Sequence, residues 1–149
     1  MSPTVTLEAE PDEATVKAIA DGLNAYNEAA SGMAFRPEPL WLVARDDQGA
    51  VVAGLKGRFA WGWLGVEWLW VAGQERGRGL GSSLLSRAEA MARERGCDGV
   101  YLDTFSFQAP GFYAKAGYAE LGRLDGLPRG GARIYLAKRF SASGLQNSS

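Results

Sequence analysis

The stretch Val71-Ala72-Gly73-Gln74-Glu75-Arg76-Gly77-Arg78-Gly79-Leu80-Gly81-Ser82 decides how this chain is read. An apolar run at residues 66–71 feeds a glycine-rich turn, and the turn opens a helical pattern. Glycines at 77, 79 and 81 remove side chains where the backbone must come close to something. Their amides, added to the unpaired N–H groups that begin any helix, form a cradle for an anion. The chemistry this points to is a phosphate-bearing ligand.

Three glycine-rich patterns compete for the stretch. The P-loop pattern G-x-x-x-x-G-K-[ST] fails, because Gly73 and Gly77 lie four apart and no Lys follows. The dinucleotide pattern G-x-G-x-x-G, with an acid about 20 residues on, finds Asp98 and Asp103 at suitable distances. It would make the chain a nicotinamide-dependent enzyme. It fits less well, because the turn carries the run at residues 72–76 before Gly77. The third pattern, [QR]-x-x-G-x-[GA], fits at every position as Arg76-Gly77-Arg78-Gly79-Leu80-Gly81.

That third pattern is the pyrophosphate-binding signature of the GNAT-type N-acetyltransferases. Over about residues 42–140 the chain resembles a small single-domain bacterial member of that family. Glu67-Trp68-Leu69-Trp70-Val71 looks like the family's central strand. Phe112-Tyr113-Ala114-Lys115-Ala116-Gly117-Tyr118 looks like its F-Y-x-x-x-G-[FY] segment. Leu102-Asp103-Thr104-Phe105-Ser106-Phe107-Gln108-Ala109 looks like one subgroup of small members. The resemblance implies an α/β (α+β mixed) fold. Its sheet is mostly antiparallel with helices on both faces, and two central parallel strands splay to admit a pantetheine arm. It also implies one acyl-CoA N-acyltransferase domain over residues 1–140. The polar residues 141–149 are expected to be a disordered tail.

Composition narrows the chemistry. At 149 residues the chain is expected to form one domain. The formal charge of −1 gives no general affinity for nucleic acid or membrane surfaces. No signal peptide or membrane-length apolar run is evident, so a cytoplasmic location is the expectation. There is no His, which excludes an imidazole base, a Ser-His-Asp triad and His metal ligands. The single cysteine, Cys97, allows no internal disulfide and no Cys-rich zinc site. No metal is expected. Acid–base work must fall to carboxylates, Tyr, Lys, Cys or water.

Periodicity places the elements. A short strand is predicted at residues 5–7. A helix over residues 11–23, with Val16, Ile19, Ala20 and Leu23 on one face, extends toward Ser31-Gly32. Residues up to Pro39 read as a loop, and residues 41–45 and 51–59 as a hairpin around Asp46-Asp47-Gln48-Gly49. A turn near Trp61-Gly62-Trp63 leads to the strand ending at Val71. Residues 81–95 carry the stripe Leu80, Leu84, Leu85, Ala88, Met91 and Ala92, with Glu89 and Arg93 spaced as an ion pair and Gly96 as the C′ residue. A strand at 99–104, a short helix at 110–116 and strands at 118–123 and 134–140 complete the chain. The strand at 66–71, the helix and the strand at 99–104 form the plausible parallel crossover.

Acyl transfer from acetyl-CoA to an amine needs a held thioester, a neutral amine, a stabilised oxyanion and a proton for the departing thiolate. Arg76, Gly77, Arg78, Gly79, Leu80, Gly81 and Ser82 would hold the pyrophosphate, mainly through backbone amides and a helix dipole contributing about 0.3–1 kcal/mol. By the resemblance, the backbones of Val71 and Ala72 would bond the pantetheine. Tyr113 is the candidate acid, since a phenol of pKa near 10 can protonate a nascent thiolate. Glu67, placed by alternation on the face of Leu69 and Val71, is the candidate base or acceptor-orienting group. Ser106 stands where many family members carry Asn, and Gln108 is a second candidate for that pantetheine contact. Cys97 follows a helix C-terminus, where the dipole disfavours a thiolate, so transfer is expected to be direct within a ternary complex. Phe105 and Phe107 follow a strand end and would line the acceptor site. Partners are then a small-molecule amine acceptor and, given several Trp residues, a second copy as homodimer. The alternative is a non-catalytic acyl-CoA-binding or interaction module on the same fold.

Overall fold

The computed structural model describes residues 2–141. Its contacts group into two units, one ending at Arg36 and one beginning at Pro37. The predicted tail falls, but for Ser141, outside the described residues.

In the first unit a single helix, α1 (Glu13–Ser31), runs to the Ser31-Gly32 stop that the sequence marks. Asp12 caps it, its Oδ1 accepting from the Thr15 amide at 2.8 Å. Gly32 ends it in the left-handed conformation at φ 76°. The predicted strand at residues 5–7 is absent. Val5 and Leu7 are each 97% exposed. A β-prone triplet with no partner strand has no ladder to stabilise it.

The second unit is one six-stranded sheet. Its strands are β1 (Glu38–Arg45), β2 (Val51–Ala60), β3 (Trp63–Val71), β4 (Gly99–Phe105), β5 (Ala119–Asp125) and β6 (Ala132–Arg139), in the order β1-β2-β3-β4-β6-β5. All pairings are antiparallel except β3 with β4. Helix α2 (Leu80–Glu94) crosses between those two strands, and α3 (Pro110–Lys115) follows β4. The mixed, mostly antiparallel sheet read from the sequence is therefore present.

Strand β1 starts earlier than predicted and includes Pro39. As an edge strand it tolerates a residue without an N–H. The first hairpin is held by Asp46, whose Oδ1 accepts from the amides of Gln48 and Ala50. The second turns on Trp61 and Gly62, both at positive φ, the signature of a type I′ turn.

Leu84, Leu85, Ala88 and Ala92 of α2 pack against Leu55, Leu64 and Val100 of the sheet. The predicted Glu89–Arg93 pair does not form. Glu89 lies between Leu85 and Ala92 on the inward stripe and is buried. A buried carboxylate must be paired. Its partners are the Tyr118 hydroxyl at 2.7 Å and the Lys138 ammonium at 3.0 Å. Arg93 instead lies over the Phe140 ring at 4.1 Å.

Candidate active site

Two irregularities in β3 open the sheet. Its parallel pairing with β4 spans only Trp63–Val66 against Gly99–Leu102. Beyond that point β3 follows β2 and β4 follows β6, so the two strands separate. At the same place the register with β2 steps from Val66↔Gly57 to Trp68↔Lys56, which leaves Glu67 as an unpaired bulge residue. A bulge sharpens local twist and bends its strand. It also exchanges the two faces. Leu64 and Val66 point inward before it, Leu69 and Val71 after it.

The bulge decides where Glu67 goes. Alternation alone would set its carboxylate with Leu69 and Val71. Instead it pairs with Lys56 at 3.0 Å, and that ammonium lies over the rings of Trp68 and Trp41. Glu67 is not among the residues that line the cavity.

That cavity holds about 710 Å³ in the opening between the separated strands. Leu69, Trp70 and Val71 form one wall, and because successive strand residues face opposite ways, the cavity reaches both sides of the sheet. Arg76, Gly77, Gly79, Leu80, Gly81 and Ser82 form its floor. Phe107, Gln108, Ala109, Phe112 and Tyr113 close the far side. Sequence motifs separated by some thirty residues thus meet around one space.

The floor is a set of unused donors. Among the described residues, the backbone amides of residues 77–82 have no hydrogen-bond acceptor. The first helical bond runs from the Ser83 amide to the Gly79 carbonyl. The N-cap is Gly79 itself, which brings no side chain to satisfy them. Gly77 at φ 82° and Gly79 at φ 79° hold a left-handed backbone that other residues adopt at a cost. These free amides and the positive end of α2 form an anion site. Arg76 lines it and ties its Nε to the Val71 carbonyl at 3.1 Å. Arg78 pairs at 3.5 Å with Glu75, whose carboxylate also lines the cavity.

Of the two backbones assigned to pantetheine, only one faces the opening. The Ala72 amide donates to the Val52 carbonyl at 2.8 Å, and the Ala72 carbonyl accepts from Glu75. Neighbouring residues in a ladder present their polar groups to opposite sides, so Val71 directs its N–H and C=O toward the gap.

Tyr113 lies buried on α3, edge-on to Phe112 and Tyr118. Burial, followed by the charge of Asp103, pushes its phenol above the ordinary value of 10.0. Its hydroxyl makes no hydrogen bond among the described residues. Gln108 lines the cavity and accepts at Oε1 from the Phe105 amide at 3.0 Å. Ser106 is used elsewhere: its Oγ accepts from the Ala132 amide at 3.1 Å, and it does not line the cavity. Phe107 stacks on Phe105 at 5.4 Å, and of the two only Phe107 reaches the cavity. Burial raises the Cys97 thiol, and Cys97 is not on the wall.

Sequence reasoning missed several walls. Trp70 was legible only as one Trp among several. Ala109, at φ 60°, starts α3 and lines the cavity, but nothing in the residue type marks a left-handed position. Asp103 bears on Tyr113 from β4 while bonded to Arg133 at 2.7 Å. Among the described residues no cluster of three or more His, Cys, Asp or Glu is placed to hold a metal ion. Among the described residues no helix is long and apolar enough to cross a membrane.

Comparison with known proteins agrees with this fold. The model of the acetyltransferase (GNAT) family matches residues 6–118. The chain is 40% identical over 129 residues to the acetyltransferase Atu2258 of Agrobacterium fabrum, covering 87% of this chain and 93% of that one. It is 47% identical over 95 residues to the blasticidin-S acetyltransferase of Streptomyces morookaense, covering 63% of this chain and 70% of the relative. The crystal structure of an acetyltransferase from Bacillus cereus superposes with a TM-score of 0.81 at 31% identity, covering 91% of this chain and 98% of that one. The chain belongs to the acetyltransferase (GNAT) family and is an acetyltransferase.

Proposed function

We propose that the protein moves the acetyl group of acetyl-CoA directly to the amine of a small-molecule acceptor, both bound at once. The observation that carries this is the run of free amides at residues 77–82, at one end of a cavity that ends at Tyr113. A pyrophosphate fits the first, and a thioester arm fits the gap between β3 and β4. The relative named for blasticidin-S supports a small-molecule acceptor.

Gly77, Gly79, Leu80, Gly81 and Ser82 hold the pyrophosphate through their amides, with Arg76 beside them and Arg78 adding charge from outside. Val71 bonds the pantetheine through its gap-facing backbone, and Gln108 bounds the arm across the cavity. Glu67 draws the protonated amine to the bulge and receives its proton, through water where the distance requires it. The amine lone pair attacks the thioester carbonyl, and the C–S bond breaks as the C–N bond forms. Tyr113 gives its proton to the departing sulfur. Its neutral phenol, held neutral by burial, is the right form for that step.

The test is a pair of measurements on one sample: calorimetric binding of CoA, and release of free thiol from acetyl-CoA over a panel of amines. Binding with amine-dependent thiol release is the expected result. Tight CoA binding with no release on any amine would leave only the non-catalytic module.

A further inference from the structure

The cavity presents a carboxylate where a polyanion is to bind. Among the described residues that line it, only Arg76 and Glu75 carry a formal charge, and the two cancel. The Glu75 side chain is 25% exposed and pairs with Arg78 at 3.5 Å. The Arg78 side chain is 72% exposed and is not part of the wall. The acid thus faces the ligand space, while the second arginine of the motif is drawn aside to it. The chain as a whole does not compensate, since its formal charge is −1. Attraction for phosphate rests on the free amides of residues 77–82, the dipole of α2 and Arg76.

The local fold does not call for an acid at this position. Residues Gly73–Glu75 form a 3₁₀ turn closed by backbone bonds, from the Glu75 amide to the Ala72 carbonyl and from the Arg76 amide to the Gly73 carbonyl. The Glu75 side chain takes part in neither. Its pairing with Arg78 lies at the outer limit of a hydrogen bond, and an ion pair whose cation stands in water adds little stability. The carboxylate therefore matters to what enters the cavity. It repels a phosphate brought beside it, and it diverts Arg78 from that same phosphate. Both effects weaken anion binding. Pre-positioning of Arg78 would act the other way, but so exposed an arm is held too loosely for that to win.

We infer that Glu75 limits coenzyme affinity: it competes with the phosphates for Arg78 and repels them from the amides of residues 77–82. Acetyl-CoA and CoA carry the same phosphates, so both are held less tightly, and to the same degree. Tighter uniform binding would lower KM without speeding the chemistry, and it would retain the product. Glu75 thus raises KM for acetyl-CoA and helps CoA to leave. It acts on the phosphates and not on the reacting atoms. This inference rests on the transferase reading for its ligand, though CoA affinity is measurable without turnover.

The experiment titrates wild type, Glu75→Gln and Glu75→Lys with CoA by calorimetry, at low and at high salt. Each step toward positive charge should tighten CoA roughly 3- to 10-fold at low salt. High salt should shrink that gain, because it screens the charge and leaves shape alone. In steady-state thiol release, KM for acetyl-CoA and the product-inhibition constant of CoA should fall together by the same factor. The inference is overturned by CoA binding that is unchanged or weaker in both variants, by a gain indifferent to salt, or by two constants that move by different factors. Failure of the transferase reading looks different: wild type would release no thiol with any amine, while the graded CoA affinities would still stand.

Discussion

The Lys138 ammonium sits 3.0 Å from Glu89 Oε1 and also donates to the Ala116 carbonyl at 2.9 Å. Glu89 is on α2, Ala116 closes α3, and Lys138 is on β6. One cation therefore ties the helix that carries the anion site to the short helix that carries Tyr113. Tyr118 completes the cluster, donating to Glu89 Oε2 and, through its amide, to the Tyr113 carbonyl.

Glu89→Ala should cost about 2–4 kcal/mol, because it strands a part-buried ammonium and a buried phenol. Urea unfolding measures this. Burial, then the Glu89 bond and charge, pushes the Tyr118 phenol far above its ordinary 10.0. The folded state thus holds that proton more tightly than the unfolded chain does. Its contribution is complete below pH 10 and is lost as pH rises above it. Wild type should lose stability more steeply above pH 10 than Tyr118→Phe.

Tyr113→Phe should lower kcat roughly a hundred- to ten-thousandfold while leaving CoA affinity within about twofold. Thiol-release kinetics and calorimetry separate the two. An acid must be protonated to act, so its raised pKa moves the alkaline loss of activity upward. Asp103→Asn removes one of the two raising causes and should shift that limb to lower pH. An unchanged kcat in Tyr113→Phe rules the phenol out as the acid.

Gly81→Ala and Gly79→Ala should part company. At Gly81 a Cβ would meet Phe112 and Val71 at ordinary contact distances of 3.5 and 3.6 Å, and the position is helical. Stability should rise by up to about 1 kcal/mol. CoA affinity should nevertheless fall at least tenfold, about 1.4 kcal/mol, if the coenzyme's phosphates lie on that amide. At Gly79 the backbone is left-handed, and Ala there should cost about 1–2 kcal/mol of stability. Thermal melts with and without CoA distinguish the two effects.

Ser106→Ala should leave CoA affinity unchanged, since the hydroxyl serves the Ala132 amide. It should lower stability by about 1 kcal/mol, the cost of one lost hydrogen bond. A tenfold loss of CoA affinity would return Ser106 to the pantetheine site.

The sequence by itself determined the parts whose causes are local. Glycines at 77 and 79 fix the bend, Gly32 fixes the end of α1, and the Leu84–Leu85–Ala88–Ala92 stripe fixes the inward face of α2. Each follows from backbone angles or a period contained within a few residues. The order of the two motifs foretold one site, because the crossover between β3 and β4 brings their ends together. The tertiary structure decided the rest. Glu67 pairs with Lys56 because of an extra residue in a ladder that only β2 can register. Glu89 turns inward because Tyr118 and Lys138 wait for it, 29 and 49 residues away in sequence. Ala72 and Ser106 give their hydrogen bonds to Val52 and Ala132, partners that no local pattern names. Free energy of this kind depends on which distant group arrives opposite, and the chain acquires that information only when the sheet closes.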